Sequence, residues 1–277
     1  MEFIRAKFII ILFLLSASIC NAQDLKLNIS SGYALPSFKQ SVEGYYDVVL
    51  DEDKSFKTEV GKSFSLGAGL YIDAGLQFCF NENIGIGLDV SYLNGQKIKF
   101  SKQDAIASVV SVNEQELFGK SIRIIPSIIL RANENTFRPY LKLGFIMSKT
   151  TVELHEKITI EPDVTLREWE YKADGTKGIS FVGGLSYQVV ENLALFFELN
   201  FQAIKYKPSK LSMVLATENG NNIIDNFQTI EKEISYTSHI DLEYNMSPDP
   251  IKPQLLHEIY FPYSSLILQF GIQLKLF

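Results

Sequence analysis

Apolar and polar side chains alternate along most of this chain with a period of two. The clearest case is the sixteen-residue stretch 65–80, SLGAGLYIDAGLQFCF, in which the even positions from Leu66 to Phe80 are apolar and the odd positions carry Ser, Gly, Tyr, Asp, Gln or Cys. Successive side chains of a β-strand point to opposite faces, so this stretch has one apolar and one polar face. It is also longer than most strands of soluble proteins.

Seven further segments divide in the same way, which gives eight predicted strands. An even number of strands brings both chain ends to the same rim of a closed sheet. The pattern therefore predicts an all-β fold, an eight-stranded antiparallel up-and-down transmembrane β-barrel. The seven segments are residues 25–34, 84–94, 121–131, 138–148, 179–189, 195–206 and 266–277.

The connections between these segments alternate in length. Short turns at one rim and long loops at the other are typical of barrels in bacterial outer membranes, where the long loops are extracellular. The short turns are at residues 81–83, 133–135 and 191–192, and the long loops are at 36–63, 101–117, 153–177 and 208–263.

The first 22 residues have the pattern of a cleaved signal peptide. Arg5 and Lys7 precede an apolar run at 8–15, and Cys20-Asn21-Ala22 places small residues before a cut ahead of Gln23. A membrane-spanning helix needs about 20 apolar residues, and lipid attachment at Cys20 needs a small residue where Ile19 stands; these two alternatives are less favoured. The predicted organisation is a signal peptide at 1–22 and one barrel domain at 23–277.

Charge separates the loops from the strands. The chain has a formal net charge of −6, and the four long loops hold 12 basic and 24 acidic residues. An acidic chain without a basic stripe argues against nucleic-acid binding. A soluble β-sandwich also alternates, but with its polar face outward, and it does not explain the alternation of loop lengths. A larger barrel shared between several chains is a further alternative that nothing in the sequence requires.

Aromatic residues near the predicted strand ends indicate two interfacial girdles, as membrane barrels have. The upper girdle would contain Phe64, Tyr92, Phe100 and Tyr263, and the lower girdle Phe78, Phe80, Phe137 and Phe277.

The chain resembles the small outer-membrane β-barrel proteins of the OmpA-like transmembrane type, as common in Bacteroidetes. The resemblance is carried by Asn21-Ala22-Gln23, by LNISSGYALP at 27–36 and by FPYSSLILQFGIQLKLF at 261–277. It implies location in the outer membrane of a Gram-negative bacterium. One position departs from the family pattern, because Phe277 shares its parity with Gln273 and Lys275 rather than with the apolar residues.

The polar face of the predicted strands collects charged residues of both signs. An eight-stranded barrel has an interior only wide enough for side chains, and a buried charge without a partner costs several kcal/mol. We therefore predict a structural ion network that plugs the lumen. A narrow ion path that favours anions is the alternative. The network residues are Asp73, Asp89, Arg123, Arg131, Arg138, Lys142, Glu198 and Lys275, with Lys26 on the same face.

Catalytic, cofactor and metal sites are not indicated. The only histidines, His155, His239 and His257, fall in predicted outer loops without the spacing of a catalytic dyad or a metal site. In the third long loop, Trp169 and Tyr171 alternate with glutamates. This stripe is a candidate contact for a sugar or protein, or a strand that extends above the bilayer.

The sequence favours a structural or loop-mediated binding module at the cell surface, with no cofactor and no enzymatic activity. Its expected partners are outer-membrane lipid and an extracellular or envelope protein. The alternatives are a small-solute or ion pore, and an accessory barrel of a Bacteroidetes protein-secretion system. A lipid-modifying enzyme is the weakest hypothesis.

Overall fold

Eight strands form the wall of the molecule. The computed structural model describes residues 24–37, 40–41, 48–50, 56–58, 63–106, 109–132, 136–238 and 249–276. The predicted signal peptide and Phe277 lie outside these ranges. The wall strands are β1 (Asp24–Pro36), β2 (Gly69–Cys79), β3 (Ile84–Gly95), β4 (Val109–Arg131), β5 (Phe137–Ile160), β6 (Thr176–Val190), β7 (Leu193–Tyr206) and β8 (Ser265–Lys275).

The wall closes on itself. Each strand pairs antiparallel with the next one along the chain, and β8 returns to pair with β1 from Lys26 opposite Lys275 to Pro36 opposite Ser265. Closure leaves no unpaired edge in the wall. The fold is an eight-stranded antiparallel barrel, as the sequence predicts.

The two faces of the wall differ sharply in polarity. Outward side chains are apolar and exposed, and Leu143 on β5 has 60% of its surface exposed. Inward side chains are buried and largely polar, and they include Asn28, Asp73 and Gln77. A sandwich in water would show the opposite arrangement, so that alternative is wrong. The exposed outward set, named the apolar belt below, includes Ile29, Leu70, Leu76, Leu88, Val90, Ile122, Ile128, Leu141, Leu143, Phe145, Met147, Ile179, Phe181, Leu199, Leu268 and Phe270.

Above the belt, β4 and β5 continue as the centre of a second sheet, named the extracellular sheet after the location that the sequence predicts for the long loops. Their ladder runs on from Ser121 opposite Thr150 to Ser111 opposite Ile160. Four of the five added strands are antiparallel to their neighbours, and the last is parallel. In spatial order the added strands are Ile98–Ile106 beside β4, then Asp163–Lys172 beside β5, followed by Lys210–Glu218, Glu233–Thr237 and Gln254–His257.

Smaller elements complete the connections. They are the paired segments Gln40–Ser41 with Ser63–Phe64 and Val48–Leu50 with Phe56–Thr58, the strand Asn221–Asn222, a 3-10 turn at Ile224–Asn226, the one-turn helix Thr229–Lys232 and the short strand Phe261–Pro262, which pairs with β7. In the described part of the chain, no helix has the length and apolar character needed to cross a membrane.

The predicted strand at 65–80 begins later than expected. β2 starts at Gly69, and residues 66–67 form a turn in which Leu66 is buried rather than lipid-facing. The backbone N–H of Leu66 donates to the carbonyl of Pro262 at 2.9 Å, and the Ser65 hydroxyl donates to the same carbonyl at 3.3 Å. This segment therefore docks on the connection before β8 instead of extending β2.

Two inner-wall glycines make room for large neighbours. A Cβ atom at Gly75 would lie 1.8 Å from a carboxylate oxygen of Asp89, and one at Gly184 would lie 2.3 Å from the Tyr140 ring. Both glycines are therefore required by close approach. They leave space for the polar side chains at the middle of the lumen.

Candidate functional site: the filled lumen and its cap

The end of the lumen nearest the short turns holds a basic cluster that borders an open cavity. Lys275 pairs with Asp24 at 2.6 Å, and Lys26, which is buried, lies 3.7 Å from the same carboxylate. Arg138 also lines this cavity of about 300 Å³. Just above it, Arg131 donates to the Gln77 amide oxygen and to the Cys79 sulfur.

Glu198 is the centre of the middle layer and is only 1% exposed. Lys142 forms an ion pair with it at 2.7 Å, the Tyr140 hydroxyl donates to it at 2.6 Å, and the Gln269 amide donates to its second oxygen. One cation and two neutral donors thus surround this carboxylate. Such saturation is what a buried charge requires.

Two more carboxylates lie beside this group. Asp73 and Asp89 are buried, and each has one oxygen without a hydrogen-bond partner. The cavity between them and Lys142 has a volume of about 10 Å³, which is about the space of one water molecule. Lys142 is therefore the common positive charge for three acidic side chains.

The next layer toward the extracellular side is built on Arg123, which is fully buried. Its guanidinium donates to the Gln202 amide oxygen and, at 3.3 Å, to the Ser121 hydroxyl. Gln202 in turn donates to the Tyr71 hydroxyl at 3.2 Å. The guanidinium also lies 5.6 Å from the centre of the Tyr263 ring.

An apolar cluster, named the cap, lies in the upper lumen around and above Arg123. All wall strands except β6 contribute to it, and the loop residues Phe64, Leu66 and Tyr263 enter it from above. The Ser264 hydroxyl ties the last of these segments to Ile204 of β7, accepting from its N–H at 3.0 Å. The buried members are Ala34, Phe64, Leu66, Tyr71, Leu93, Leu117, Ile125, Ile146, Val152, Ile204, Tyr206, Tyr263 and Ile267.

The cap corrects the prediction of an upper aromatic girdle. Phe64 and Tyr263 are buried inside the barrel, and Phe100 packs against the same cluster. Tyr92 alone of the predicted upper four faces outward and is exposed. Period-two alternation cannot distinguish a lipid-facing aromatic from one that folds back over the lumen, because both stand near a strand end.

The outward face of the extracellular sheet carries ion pairs. Glu116 accepts from Lys99 at 2.8 Å and from Lys97 at 2.9 Å. These hydrogen bonds lower the pKa of the Glu116 carboxyl to about 2. Glu114 pairs with Lys157 at 3.2 Å on the neighbouring strand. The surface above the belt is thus charged and hydrated.

Trp169 and Tyr171 lie on the strand Asp163–Lys172 of the extracellular sheet. Both are half-buried, and Tyr171 packs edge-on against Phe261 at 5.0 Å and stacks with Tyr236 at 6.4 Å. The stripe is therefore part of an ordered strand beyond the belt. A contact of Trp169 and Tyr171 with a ligand stays a prediction.

The histidines have local partners in the outer region. His155 lies 3.7 Å from a Glu153 carboxylate oxygen and edge-on to Phe118 at 5.2 Å, and a ring nitrogen of His257 lies 3.3 Å from the Glu258 carbonyl. His239 lies outside the described residues. Within the described ranges, no group of three or more His, Cys, Asp or Glu side chains is arranged to hold a metal ion.

The partners of several neutral lumen residues were not predictable from sequence. Tyr140, Gln202 and Gln269 donate to or accept from the charged groups, yet neutral side chains on the inward face give no signal of their partners. Alternation along the chain does place these three residues on the inward face of their strands. Their pairing depends on register between strands that are far apart in the chain.

The strand pairing, the exposed apolar exterior and the buried, largely polar interior define a closed eight-stranded antiparallel barrel. No protein-family model matches the chain, and no curated protein matches it. Solved structures that are similar over nearly their whole length include the following three. Neisserial surface protein A is 11% identical, with a TM-score of 0.40, and the match covers 92% of this chain and 98% of that one.

The second structure is Ail, the attachment invasion locus protein of Yersinia pestis, at 10% identity and a TM-score of 0.32, covering 91% of this chain and 99% of the other. The third is the outer membrane protease OmpT from Escherichia coli, at 11% identity and a TM-score of 0.37, covering 91% and 97%. Such values are compatible with a shared fold and carry nothing about activity.

Proposed function

We propose that this chain is an outer-membrane barrel of a Gram-negative bacterium that acts as a structural or loop-mediated binding module at the cell surface. The observation that carries this proposal is that side chains fill the lumen from Arg131 to the cap. Export by a cleaved signal peptide and membership of the OmpA-like barrels common in Bacteroidetes are part of the proposal. They are supported by the sequence resemblance.

The lumen network has a structural role in this proposal. Its charged members are held by neighbours of complementary character, as with Lys142 and Glu198 at 2.7 Å. An open ion path needs a continuous polar surface, whereas the cap places buried apolar side chains such as Leu66 and Ile267 across the upper lumen. A closed barrel that supports the extracellular sheet fits both features.

Electrical conductance tests directly whether the lumen is closed to ions. The purified mature protein, inserted into planar bilayers, is expected to show no discrete current steps, because the cap and the Arg123 layer leave no water-filled path. The variant Leu66→Ala/Tyr263→Ala removes two large cap side chains and is the matched control, in which added conductance is expected. Discrete steps from the wild-type protein that change on Arg123→Gln substitution would establish a pore and refute closure.

Binding through the loops needs a separate experiment. Replacing residues 210–258 by a short Gly-Ser linker removes the outer strands of the extracellular sheet. It keeps the cap residue Tyr263 and Phe261, which packs against the cap. We expect cells that carry this variant to lose an extracellular or envelope partner that co-purifies with the wild-type protein. Deletion of residues 101–114 is the control, because it removes most of the opposite edge strand Ile98–Ile106 and the first residues of β4 but keeps the strands within 210–258. Identical sets of co-purifying proteins for all three would contradict loop-mediated binding.

A further inference from the structure

Three lysines lie side by side on the outward face of the wall, just above the apolar belt. They are Lys149 on β5, Lys177 on β6 and Lys205 on β7, and all three are exposed. Lys177 stands opposite Met147 in the β5–β6 ladder, and Lys149 is two positions farther along β5. The β6–β7 ladder begins with Gly178 opposite Ile204, so Lys177 and Lys205 stand at the next step of the same register. These three residues are named the lysine row.

The lysine row marks the upper boundary of the belt. Met147 and Ile179, directly below it on the same outward face, are 44% and 59% exposed. A lysine at such a boundary lays its aliphatic stem along the apolar surface and raises its ammonium group into the polar layer. The three charges are therefore held where hydrocarbon gives way to lipid headgroups.

The row has no acidic partner in the described part of the chain, where no carboxylate lies within 4.0 Å of any of its three ammonium groups. Neighbouring lysines do have such partners: Lys120 pairs with Glu153 at 3.0 Å, and Lys207 pairs with Glu258 at 2.7 Å. Lys205 instead lies over the Tyr260 ring, 3.6 Å from its centre. Adjacent like charges are destabilising unless a counter-charge is present. None of the described residues supplies that counter-charge, whereas an anionic ligand would supply it.

Among the described residues at this boundary, lysines without an acidic partner lie on one side of the barrel. At the corresponding height, the outward residues of β1, β2 and β3 are Tyr33, Leu35, Leu70 and Tyr92, all exposed and uncharged. A general attraction to the bilayer surface would not require this asymmetry. It favours a localised anionic ligand beside β5, β6 and β7.

We propose that the lysine row binds the phosphate groups of a phosphorylated glycolipid in the outer leaflet. This rests on the proposed membrane location. The headgroup phosphates would contact the ammonium groups while the acyl chains lie along Met147 and Ile179. The lysine row lies directly above the belt. A lipid can therefore contact the ammonium groups with its phosphates and the belt with its acyl chains, whereas a free phosphate ion contacts only the ammonium groups.

Lipid A is the probe, added to the detergent-solubilised barrel, with its dissociation constant measured by native mass spectrometry. The variant Lys149→Gln/Lys177→Gln/Lys205→Gln is expected to bind lipid A roughly 100-fold more weakly, from the usual contribution of a lysine near an anionic lipid surface. The control Lys99→Gln/Lys210→Gln/Lys252→Gln makes the same change in charge higher in the loops, at lysines that pair with Glu116, Glu233 and Asp249. It is expected to keep the wild-type affinity.

Binding measurements with two further ligands distinguish a lipid phosphate from a free phosphate ion. Lipid A without its phosphates is expected to lose the affinity that the lysine row provides; equal binding with and without phosphates would overturn the proposal. Inorganic phosphate that competes at the same concentration as lipid A would assign the row to a free anion and would also overturn it. Equal lipid A affinity of the lysine-row variant and the control variant would also overturn the proposal.

The membrane location is checked separately by insertion into phospholipid vesicles. Wild-type protein and both triple variants are expected to insert and to resist unfolding in sodium dodecyl sulfate until heated. Failure of the wild-type protein to insert would contradict the proposed function itself. Normal insertion with unchanged lipid A affinity in the lysine-row variant would contradict only the proposed glycolipid site.

Discussion

Replacing Lys142 with Met is expected to lower the free energy of unfolding by about 3–5 kcal/mol, the range for removing one partner of a buried ion pair. The reason is local. The substitution takes away the 2.7 Å partner of Glu198 and the nearest cation to Asp73 and Asp89. Three buried carboxylates then share one lumen layer without a positive charge.

The measurement is a urea titration of the barrel in lipid vesicles, followed by fluorescence of Trp169, the single tryptophan. The double variant Lys142→Met/Glu198→Gln is expected to recover part of the loss, because it removes the charge that was left unpaired. Lys252→Met is the control, since Lys252 is an exposed partner of Asp249 at 3.3 Å, and such pairs contribute about 0–1 kcal/mol. An unchanged unfolding midpoint for Lys142→Met would show that the pair does not stabilise the lumen.

Replacing the next residue, Leu143, with Arg is expected to destabilise the barrel in vesicles by about 2–4 kcal/mol, the cost of an arginine at the bilayer midplane. Leu143 points outward, is 60% exposed, and stands midway along the outward apolar positions of β5 between Phe137 and Met147. The cost arises from lipid, because the side chain has little protein around it.

Thr159→Arg is the matched control for this substitution. Thr159 lies on the outward face of the same strand, but in the extracellular sheet, where an arginine remains in water. Its free energy of unfolding is expected to stay within about 0.5 kcal/mol of wild type, as for most surface substitutions. Equal, small effects at both positions would mean that the outward face of β5 contacts water and that the barrel does not span a membrane.

Alternation along the chain was enough to predict the wall. Each of the eight predicted segments falls on one wall strand, although 121–131 and 138–148 cover only the lower halves of β4 and β5. The parity assignments of Asp73, Arg123, Lys142 and Glu198 correspond to buried inward positions. The period of two survives in sequence because one face of each strand meets an apolar environment and the other does not.

Strand ends and lumen partners were not predictable in the same way. β4 and β5 are 23 and 24 residues long because their upper halves pair within the extracellular sheet. The alternation of apolar and polar residues in these upper halves does not distinguish them from a hairpin within a long loop. The pair of Lys142 and Glu198 joins β5 to β7, and the partner of an inward charge depends on closure and stagger of the whole barrel. Leu66 shows a third limit of prediction from sequence. Its position continues the apolar parity of β2, but the chain forms a turn at residues 66–67 and the Leu66 side chain is buried.

The length of β5 sets how far the protein reaches from the membrane. Its last twelve residues, after Ser148, continue beyond the apolar belt. At about 3.4 Å per residue and a tilt of roughly 40°, they rise on the order of 30 Å above the hydrocarbon. β4 and β5 are unbroken over this distance, so the upper rim is fixed to the wall by a continuous ladder of hydrogen bonds. A molecule captured at that height would be held at a set distance from the cell, and a pull on it would be transmitted straight to the membrane-embedded strands.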